Sequence, residues 1–193
     1  MADRLTKEDR SKMMSAVKSS GTAPEILLRH ALWKRGFRYR TNVRGLPGSP
    51  DLVLPRYHTA IFVNGCFWHG HEGCKDYVAP KTNSEFWTEK IMRNRDRDQR
   101  SWRELEAKGW HVLVVWECEL KKAAFETTLD GIVNMLADNL SKDVKARRER
   151  KVRNEEEHMR KLEHEAKMKE REKEIIRIFG KVATIKAPAD IED

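Results

Sequence analysis

The chain has 193 residues, of which 36% are charged, with a formal net charge of +8 and a pI of about 9.4. No apolar run approaches the roughly 20 residues that span a bilayer, and the charged start MADRLTKEDR lacks the apolar core of a signal peptide. We therefore expect a cytoplasmic protein without membrane contact. The positive charge favours a polyanionic partner such as nucleic acid.

The first predicted element is a helix that begins after Thr22. Thr22 and Glu25 match a capping box of the S/T-x-x-E type, and Gly36 is the expected stop. The apolar face is expected to comprise Ile26, Leu27, Leu28, Ala31 and Leu32. The β-branched and aromatic runs that follow are separated by turn-forming residues, and they predict strands at residues 37–43, 51–54 and 58–64.

In the second half of the predicted core, helices again alternate with a strand. An irregular stretch rich in Gly, His and Cys covers residues 65–83, and a long helix capped by Ser84 is expected to reach Lys108. A buried strand at 111–117 and an amphipathic helix from Phe125 follow. The order α–β–β–β–α–β–α predicts an α/β core with a mixed central sheet flanked by helices.

The composition changes at about residue 140, which divides the chain into a core domain (1–140) and a charged, mainly helical extension (141–193). Lys, Arg and Glu dominate the extension, and apolar residues are sparse. Few heptad a and d positions are apolar, so a solvated single helix is favoured, and a coiled coil is the alternative. Residues 181–193 are expected to be frayed.

The ten residues 65–74 contain two cysteines and two histidines, and the third cysteine of the chain, Cys118, ends a predicted strand. An odd number of cysteines without an export signal argues against a disulfide framework. Structural zinc takes four Cys or His ligands in tetrahedral geometry. We therefore predict a Zn²⁺ site at Cys66, His71, Cys74 and Cys118. His69 as the ligand in place of His71, or merely buried cysteines, are the alternatives.

Three residues are candidates for phosphodiester chemistry. Asp51 begins a predicted strand after Ser-Pro, where its carboxylate could hold Mg²⁺ against a phosphate. His69, left over from the zinc count and fixed by the metal loop, is a candidate general base. Glu25 could orient a water or a second metal ion. Turn chemistry at Asp51 and helix capping by Glu25 are the competing explanations.

Aromatic and basic residues surround this region of the sequence. Phe67 and Trp68 lie in a glycine-flanked polar loop, and such side chains are typical of wedges that insert between base steps. Trp87 fits the same role, or packs against Ile91 at helical spacing. The candidate phosphate contacts are Arg93, Arg95, Arg97 and Arg100. Because Asp96 and Asp98 alternate with these arginines, a solvated helix face is the alternative.

The chain resembles the very short patch repair (Vsr) mismatch endonucleases over about residues 8–125. The matching strings occur in the family's order: RSKMMSAV, TAPEILLR, LPGSPDLVL, IFVNGCFWHGHEGC, FWTEKIMRNRDRD and GWHVLVVWECEL. The resemblance implies a restriction-endonuclease-like fold. It also implies Mg²⁺-dependent nicking of one strand, 5′ to the thymine of a T:G mismatch that arises when 5-methylcytosine deaminates.

The resemblance also implies roles for individual residues. Asp51 matches the Mg²⁺-binding aspartate, His69 the catalytic histidine and Glu25 the acidic residue of the early helix. Cys66, His71, Cys74 and Cys118 match the zinc ligands. Phe67, Trp68 and Trp87 match an aromatic wedge, and Met14, Lys90 and Asn94 match residues at the mismatch.

Two features depart from the family's pattern. Val63-Asn64 stands where the best-known form has Thr-His. The threonine ligates metal through its backbone carbonyl, so Val63 could still serve. Asn64 can donate a hydrogen bond but cannot carry a proton charge, so phosphate or leaving-group stabilisation is expected to be weaker or organised differently. The metal loop also has one additional residue before Cys74.

We therefore predict a zinc-stabilised, Mg²⁺-dependent nicking endonuclease whose partner is double-stranded DNA with a T:G mismatch. The alternatives are a nuclease of the same fold with another DNA specificity, such as host defence or distorted DNA in general, and a catalytically weak binder of distorted DNA. Mismatch-repair or polymerase proteins are candidate partners. We also expect a monomeric core, a tail that can self-associate and a location at the bacterial nucleoid.

Overall fold

The computed structural model describes residues 20–79 and 83–185, with side chains described up to Phe179. Met14, which was predicted to contact DNA, lies outside these residues. The chain divides into two compact units, Met1–Asp143 and Val144–Asp193. None of the helices in the described part of the chain is long and apolar enough to cross a membrane.

The first helix, α1, covers Ala23–Lys34, close to the prediction. Glu25 accepts a hydrogen bond from the backbone N–H of Thr22 (3.3 Å), as a capping box requires. It accepts another from the Thr22 hydroxyl (2.8 Å). Gly36 has a φ of +88° and ends the helix.

The predicted apolar face of α1 is only partly correct. Leu28 and Leu32 are fully buried, whereas Ile26 and Leu27 are more than 40% exposed. The buried leucines are four residues apart and so lie above one another on the side of the helix that faces the sheet. Ile26 and Leu27 project from other faces.

A four-stranded mixed sheet forms the centre of the first unit, in the order β1-β2-β3-β4. Its strands are β1 (Arg40–Thr41), β2 (Leu52–Leu54), β3 (Thr59–Asn64) and β4 (His111–Trp116). The first three are antiparallel neighbours, and β3 pairs parallel to β4. The prediction of a mixed sheet within an α/β core is confirmed.

The first strand is much shorter than predicted. Residues 37–43 were expected to pair, but only Arg40 and Thr41 do. The aromatic rings of Phe37 and Tyr39 pack against the hydrophobic core instead. Asn42 has a φ of +48°, which ends the extended backbone. The aromatic residues that suggested a strand are therefore buried as loop side chains.

Two further helices complete the described fold. Helix α2 covers Ser84–Ala107, and α3 covers Phe125–Ile185. Asn83, rather than the predicted Ser84, occupies the position before the first turn of α2. The connection from β3 through α2 to β4 is what allows these two strands to run parallel.

Helices cover both faces of the sheet. On one face, residues of β2, β3 and β4 pack with α1 and the first turns of α3, around Ile61, Val115 and Ile132. On the other face, Ala60, Phe62 and Leu105 form a smaller cluster with Trp102 of α2. Strand β3 is buried almost throughout because it is covered on both sides.

Strand directions bring three chain segments to one end of the sheet. The parallel strands β3 and β4 end side by side at Asn64 and Trp116. Strand β2 is antiparallel to β3, so its beginning, immediately after Asp51, lies at the same end. Asp51, the loop after β3 and the turn after β4 are therefore neighbours.

Candidate active site and metal centre

The four predicted zinc ligands come together at this end of the sheet. One ligand atom from each of Cys66, His71, Cys74 and Cys118 lies within 4.8 Å of all the others. Nδ1 of His71 is 3.6 Å from the Cys66 sulfur and 3.4 Å from the Cys118 sulfur. Tetrahedral zinc with bonds of about 2.0–2.3 Å separates its ligand atoms by roughly 3.5–3.8 Å. The Cys3His donor set and its spacing fit a tetrahedral metal ion.

The local fold holds this cluster in place. Cys66 follows β3, and Cys118 lies in the 3-10 turn Glu117–Leu120 that follows β4. The backbone N–H of His71 donates to the Cys66 carbonyl (3.0 Å), and the His71 ring stacks on Trp116 with centroids 4.0 Å apart. His71, rather than the alternative His69, therefore provides the imidazole of the cluster.

Two thiols of the cluster, those of Cys66 and Cys118, are poorly suited to ionise without a cation. Burial, together with hydrogen bonds with Cys66 and Cys74, raises the pKa of Cys118 to about 12. Burial also raises the pKa of Cys66. A bound divalent cation would reverse this effect, because it stabilises the thiolate directly.

Asp51 is held beside β3 by its own side chain. Its Oδ2 accepts a hydrogen bond from the backbone N–H of Val63 (2.8 Å). The Arg29 guanidinium donates to the Asp51 carbonyl oxygen (3.3 Å) and to Oε2 of Glu25 (2.8 Å). Arg29 thus links the two acidic residues, which are 26 positions apart in the sequence.

Glu25 combines the two roles that the sequence left open. Only 3% exposed, it accepts hydrogen bonds from the N–H of Gly21 (2.9 Å) and from Thr22, as a capping residue does. It also forms the ion pair with Arg29, beside Asp51. The capping contacts fix the carboxylate where its charge acts on Asp51.

The environment of Asp51 disfavours its charge. Burial and the negative charge of Glu25 outweigh the hydrogen bond from the Val63 N–H, and the pKa of Asp51 is raised from 3.8 to about 6. The positive charges of Arg29 and His69 lower it. A partly buried carboxylate next to a second carboxylate is the setting in which a divalent cation is favourable.

His69 is paired with Asp98, a residue that the sequence did not single out. Nδ1 of His69 contacts the Asp98 carboxylate, and both side chains are largely buried, at 20% and 13% exposure. A carboxylate on Nδ1 fixes the tautomer and orientation of the ring, leaving Nε2 as the free nitrogen. The sequence did contain a signal: Asn94 and Asp98 are one helical turn apart and so face the same loop.

Asn94 is the second tie between α2 and the loop. Its side-chain amide donates to the backbone carbonyl of Trp68 (2.9 Å), next to His69. Asn94 was predicted to lie at the mismatch. In the structure, its side chain positions the loop after β3.

Asn64 has an unusual environment at the end of β3. It is 5% exposed, and its side-chain nitrogen has no hydrogen-bond partner among the described residues. It lines a cavity of about 230 Å³ together with His69, Asp98 and Trp116. A buried polar group without a partner is costly, and it indicates a position for a water or a ligand.

The predicted aromatic wedge forms one cluster. Phe67 lies 5.2 Å from Trp68 and 5.1 Å from Trp87, centroid to centroid, with tilted rings. Phe86 extends the cluster through Trp87 and is 51% exposed. The ammonium group of Lys90 lies 5.3 Å from the ring centroids of both tryptophans. The loop after β3 and the beginning of α2 thus present a shared aromatic surface with one cation.

The arginines of α2 have partners within the protein. Arg93 pairs with Glu89 (3.5 Å), Arg95 with Glu72 (2.6 Å) and Arg97 with Asp98 (3.2 Å). Arg93 and Arg97 are both more than half exposed, so these pairs are weak. Arg93 and Arg97 are thus placed to exchange their carboxylates for phosphates.

Comparison with known proteins identifies relatives of this chain. Residues 2–75 match the family model for the DNA mismatch endonuclease Vsr. The type II nicking enzyme V.NmeAIP of Neisseria meningitidis is 45% identical over 139 residues, covering 72% of this chain and 99% of the relative. The DNA mismatch endonuclease Vsr of Escherichia coli is 45% identical over 121 residues, covering 63% of this chain and 77% of the relative.

A solved structure is also similar. The catalytic domain of the homing endonuclease I-Bth0305I covers 62% of this chain and 99% of its own, with a TM-score of 0.42 and 22% identity. The sequence relatives, at 45% identity, define the protein as a DNA-nicking endonuclease. The chain belongs to the Vsr family of DNA mismatch endonucleases.

Proposed function

We propose that the protein nicks one strand of duplex DNA 5′ to the thymine of a T:G mismatch, with catalytic Mg²⁺ and structural Zn²⁺. The observation that carries the proposal is the loop after β3, which contributes to three sites at once. It supplies zinc-cluster ligands, the His69 imidazole and the aromatic pair Phe67 and Trp68. A metal-braced loop of this kind can hold a base and a wedge in fixed relation to one duplex.

The acidic residues would hold the catalytic metal. Asp51 provides a carboxylate oxygen and Val63 a backbone carbonyl, the oxygen ligands that Mg²⁺ prefers. When bound, Mg²⁺ would polarise the scissile phosphate and offset the negative charge that develops there. Arg29 keeps Glu25 and Asp51 at a fixed separation, and Glu25 would orient water at the same place.

His69 would activate the attacking water. Its Nε2 is free to accept a proton because Asp98 contacts Nδ1. The carboxylate of Asp98 then stabilises the imidazolium that forms. Asn64, with an unpaired amide nitrogen, would donate a hydrogen bond to an oxygen of the phosphate. This contact stabilises charge without transferring a proton.

The aromatic cluster would provide selectivity for distorted duplexes. Separating adjacent base pairs costs less at a mismatch, where stacking is already weakened. Phe67, Trp68 and Trp87 can insert between such pairs, and Lys90 and Asn94 lie beside them to contact the exposed bases. The proposed role of Met14 at the mismatch rests on the family resemblance.

A second candidate function is nicking with a different specificity. It is favoured by the relatives that are described as type II nicking enzymes rather than as mismatch endonucleases. The deciding experiment uses one duplex sequence with T:G, each other mismatch, or a matched pair at the same position. We expect nicking of the thymine strand at T:G alone. Equal cleavage of all duplexes would reject mismatch specificity, and binding without cleavage under any divalent metal would reject catalysis.

A further inference from the structure

The second unit begins with a strongly basic stretch. Between residues 145 and 153 there are six basic residues and one acidic residue, whereas residues 155–174 contain eight acidic and six basic residues. All nine residues of the stretch are exposed on helix α3. The positive charge of the extension is therefore concentrated in its first turns.

Most of this charge is not neutralised within the protein. Lys145 lies 4.0 Å from Glu149 and Lys151 lies 3.7 Å from Glu155, both as exposed pairs one turn apart. Within the described part of the chain, no carboxylate lies within 4.0 Å of the four arginines of the stretch. Those arginines are Arg147, Arg148, Arg150 and Arg153. The arginines of α2 at Arg93, Arg95 and Arg97, by contrast, all have carboxylate partners.

Three of the basic residues share one helix face. Arg150 and Lys151 lie three and four positions after Arg147, and the same face continues with Asn154, Glu155 and His158. Arg147 and Lys151 are separated along the axis by about 6 Å, from a rise of about 1.5 Å per residue. Lys151 has only its exposed pair with Glu155, and such pairs are weak. A row of long cationic side chains at this spacing matches the phosphates of a nucleic-acid strand.

We propose that the face formed by Arg147, Arg150, Lys151, Asn154 and His158 is a second duplex-DNA contact that binds the phosphate backbone without reading sequence. The occupant is identified by charge complementarity and by the family's substrate, which is DNA. The match with V.NmeAIP covers 99% of that relative but only 72% of this chain. More than a quarter of this chain therefore lies outside the match. The contact is independent of T:G recognition and adds affinity for DNA of any sequence.

The test measures how binding depends on salt. Each phosphate contact adds about 0.9 to the slope of log K against log salt concentration. The full-length variant R147Q/R150Q/K151Q should therefore have a slope lower by up to about 2.7. Between about 50 and 200 mM salt, the DNA affinity of native protein should therefore fall by a factor about 40 times larger than that of the variant. Glutamine is a good helix former, so the helix is retained.

The matched control is R160Q/K161Q/R171Q, which removes two arginines and one lysine from the balanced part of the same helix. Fluorescence anisotropy with a fully matched duplex keeps the test separate from T:G nicking. We expect the control to keep the native slope. Equal slopes in all three proteins, or equal reductions in both variants, would overturn the proposal. Loss of binding to phosphatidylserine vesicles with an unchanged DNA slope would assign the face to a membrane surface instead.

Discussion

Replacing Asp51 with asparagine should stabilise the metal-free site while abolishing catalysis. The Asp51 pKa is about 6 in the folded protein, compared with 3.8 for an unperturbed aspartate. The folded state therefore binds this proton more tightly than the unfolded state. The stability that protonation provides is complete below about pH 4 and is lost as the pH rises to about 6. At pH 7 the native protein carries the full cost of the charge.

That cost can be estimated from the two pKa values. The difference between 3.8 and about 6 corresponds to roughly 3 kcal/mol at pH 7. Because Asp51 retains partial contact with solvent, screening reduces this value, and we expect about 1–3 kcal/mol for Asp51→Asn. The asparagine oxygen can still accept the hydrogen bond from Val63. For a protein of this size the gain corresponds to roughly 2–4 °C in Tm per kcal/mol.

The assay is urea unfolding of native protein and Asp51→Asn between pH 4 and pH 7.5, without Mg²⁺ and without a chelator, so that the Cys/His cluster is left undisturbed. Asp138→Asn, at an exposed position of α3, is the matched control and should show no pH-dependent difference. Adding Mg²⁺ should stabilise native protein but not Asp51→Asn. The reasoning is refuted if Asp51→Asn is less stable than native at pH 7, or if the difference between them is the same at pH 4.

Four other variants test the remaining parts of the site. Asp51→Ala and His69→Ala should each reduce single-turnover nicking of a T:G duplex by at least about 10²-fold while duplex binding persists, with exposed His30→Ala as control; unchanged rates would exclude the assigned roles. Asp98→Asn should lower the nicking rate by roughly 10²-fold or more with unchanged Mg²⁺ affinity, and a native rate would show that the contact with His69 is not used. Cys74→Ala should reduce bound zinc below one ion per chain and lower the Tm measured by circular dichroism; folded native protein without zinc in elemental analysis would disprove the metal assignment.

The element order was predictable because each helix and strand has a local signal. The capping residues of α1 and the β-branched runs of β3 and β4 depend on neighbours in the sequence. The length of β1 was not predictable in this way. Phe37 and Tyr39 favour a strand by propensity, but contacts with the core bury them as loop residues. Tertiary packing overrode the local preference.

In the candidate site, too, some features were predictable from the sequence and others were not. The grouping of the Cys and His side chains could be predicted because the chain has only three cysteines and two of them lie within one short loop. The Asp98 partner of His69 was missed because charge alternation along α2 suggested a solvated face. Arg29 was missed because its contacts with Glu25 and Asp51 depend on how α1 packs beside β2. Residues that position other residues carry little signal of their own in one sequence.

Asn64 offers the sharpest test of how this site differs from the best-known form of its family. Its amide can donate a hydrogen bond, but it cannot supply a proton to a leaving group. Asn64→His would introduce a proton carrier beside a cavity of about 230 Å³, which gives the larger ring room. If leaving-group protonation limits the native rate, single-turnover nicking should rise at least about tenfold, since general acid catalysis contributes roughly 10²–10⁴.

The pH dependence distinguishes this gain from improved packing. A histidine acting as a proton donor should make the faster rate fall as the pH rises above about 6.5, where imidazole loses its proton. The matched variant Asn64→Gln keeps the amide without adding a proton carrier, and it should show neither the gain nor the new pH dependence. A rate for Asn64→His equal to or below the native rate across this range would mean that the amide hydrogen bond already suffices. The unpaired amide of Asn64 would then be a catalytic group in its own right rather than a weakened substitute.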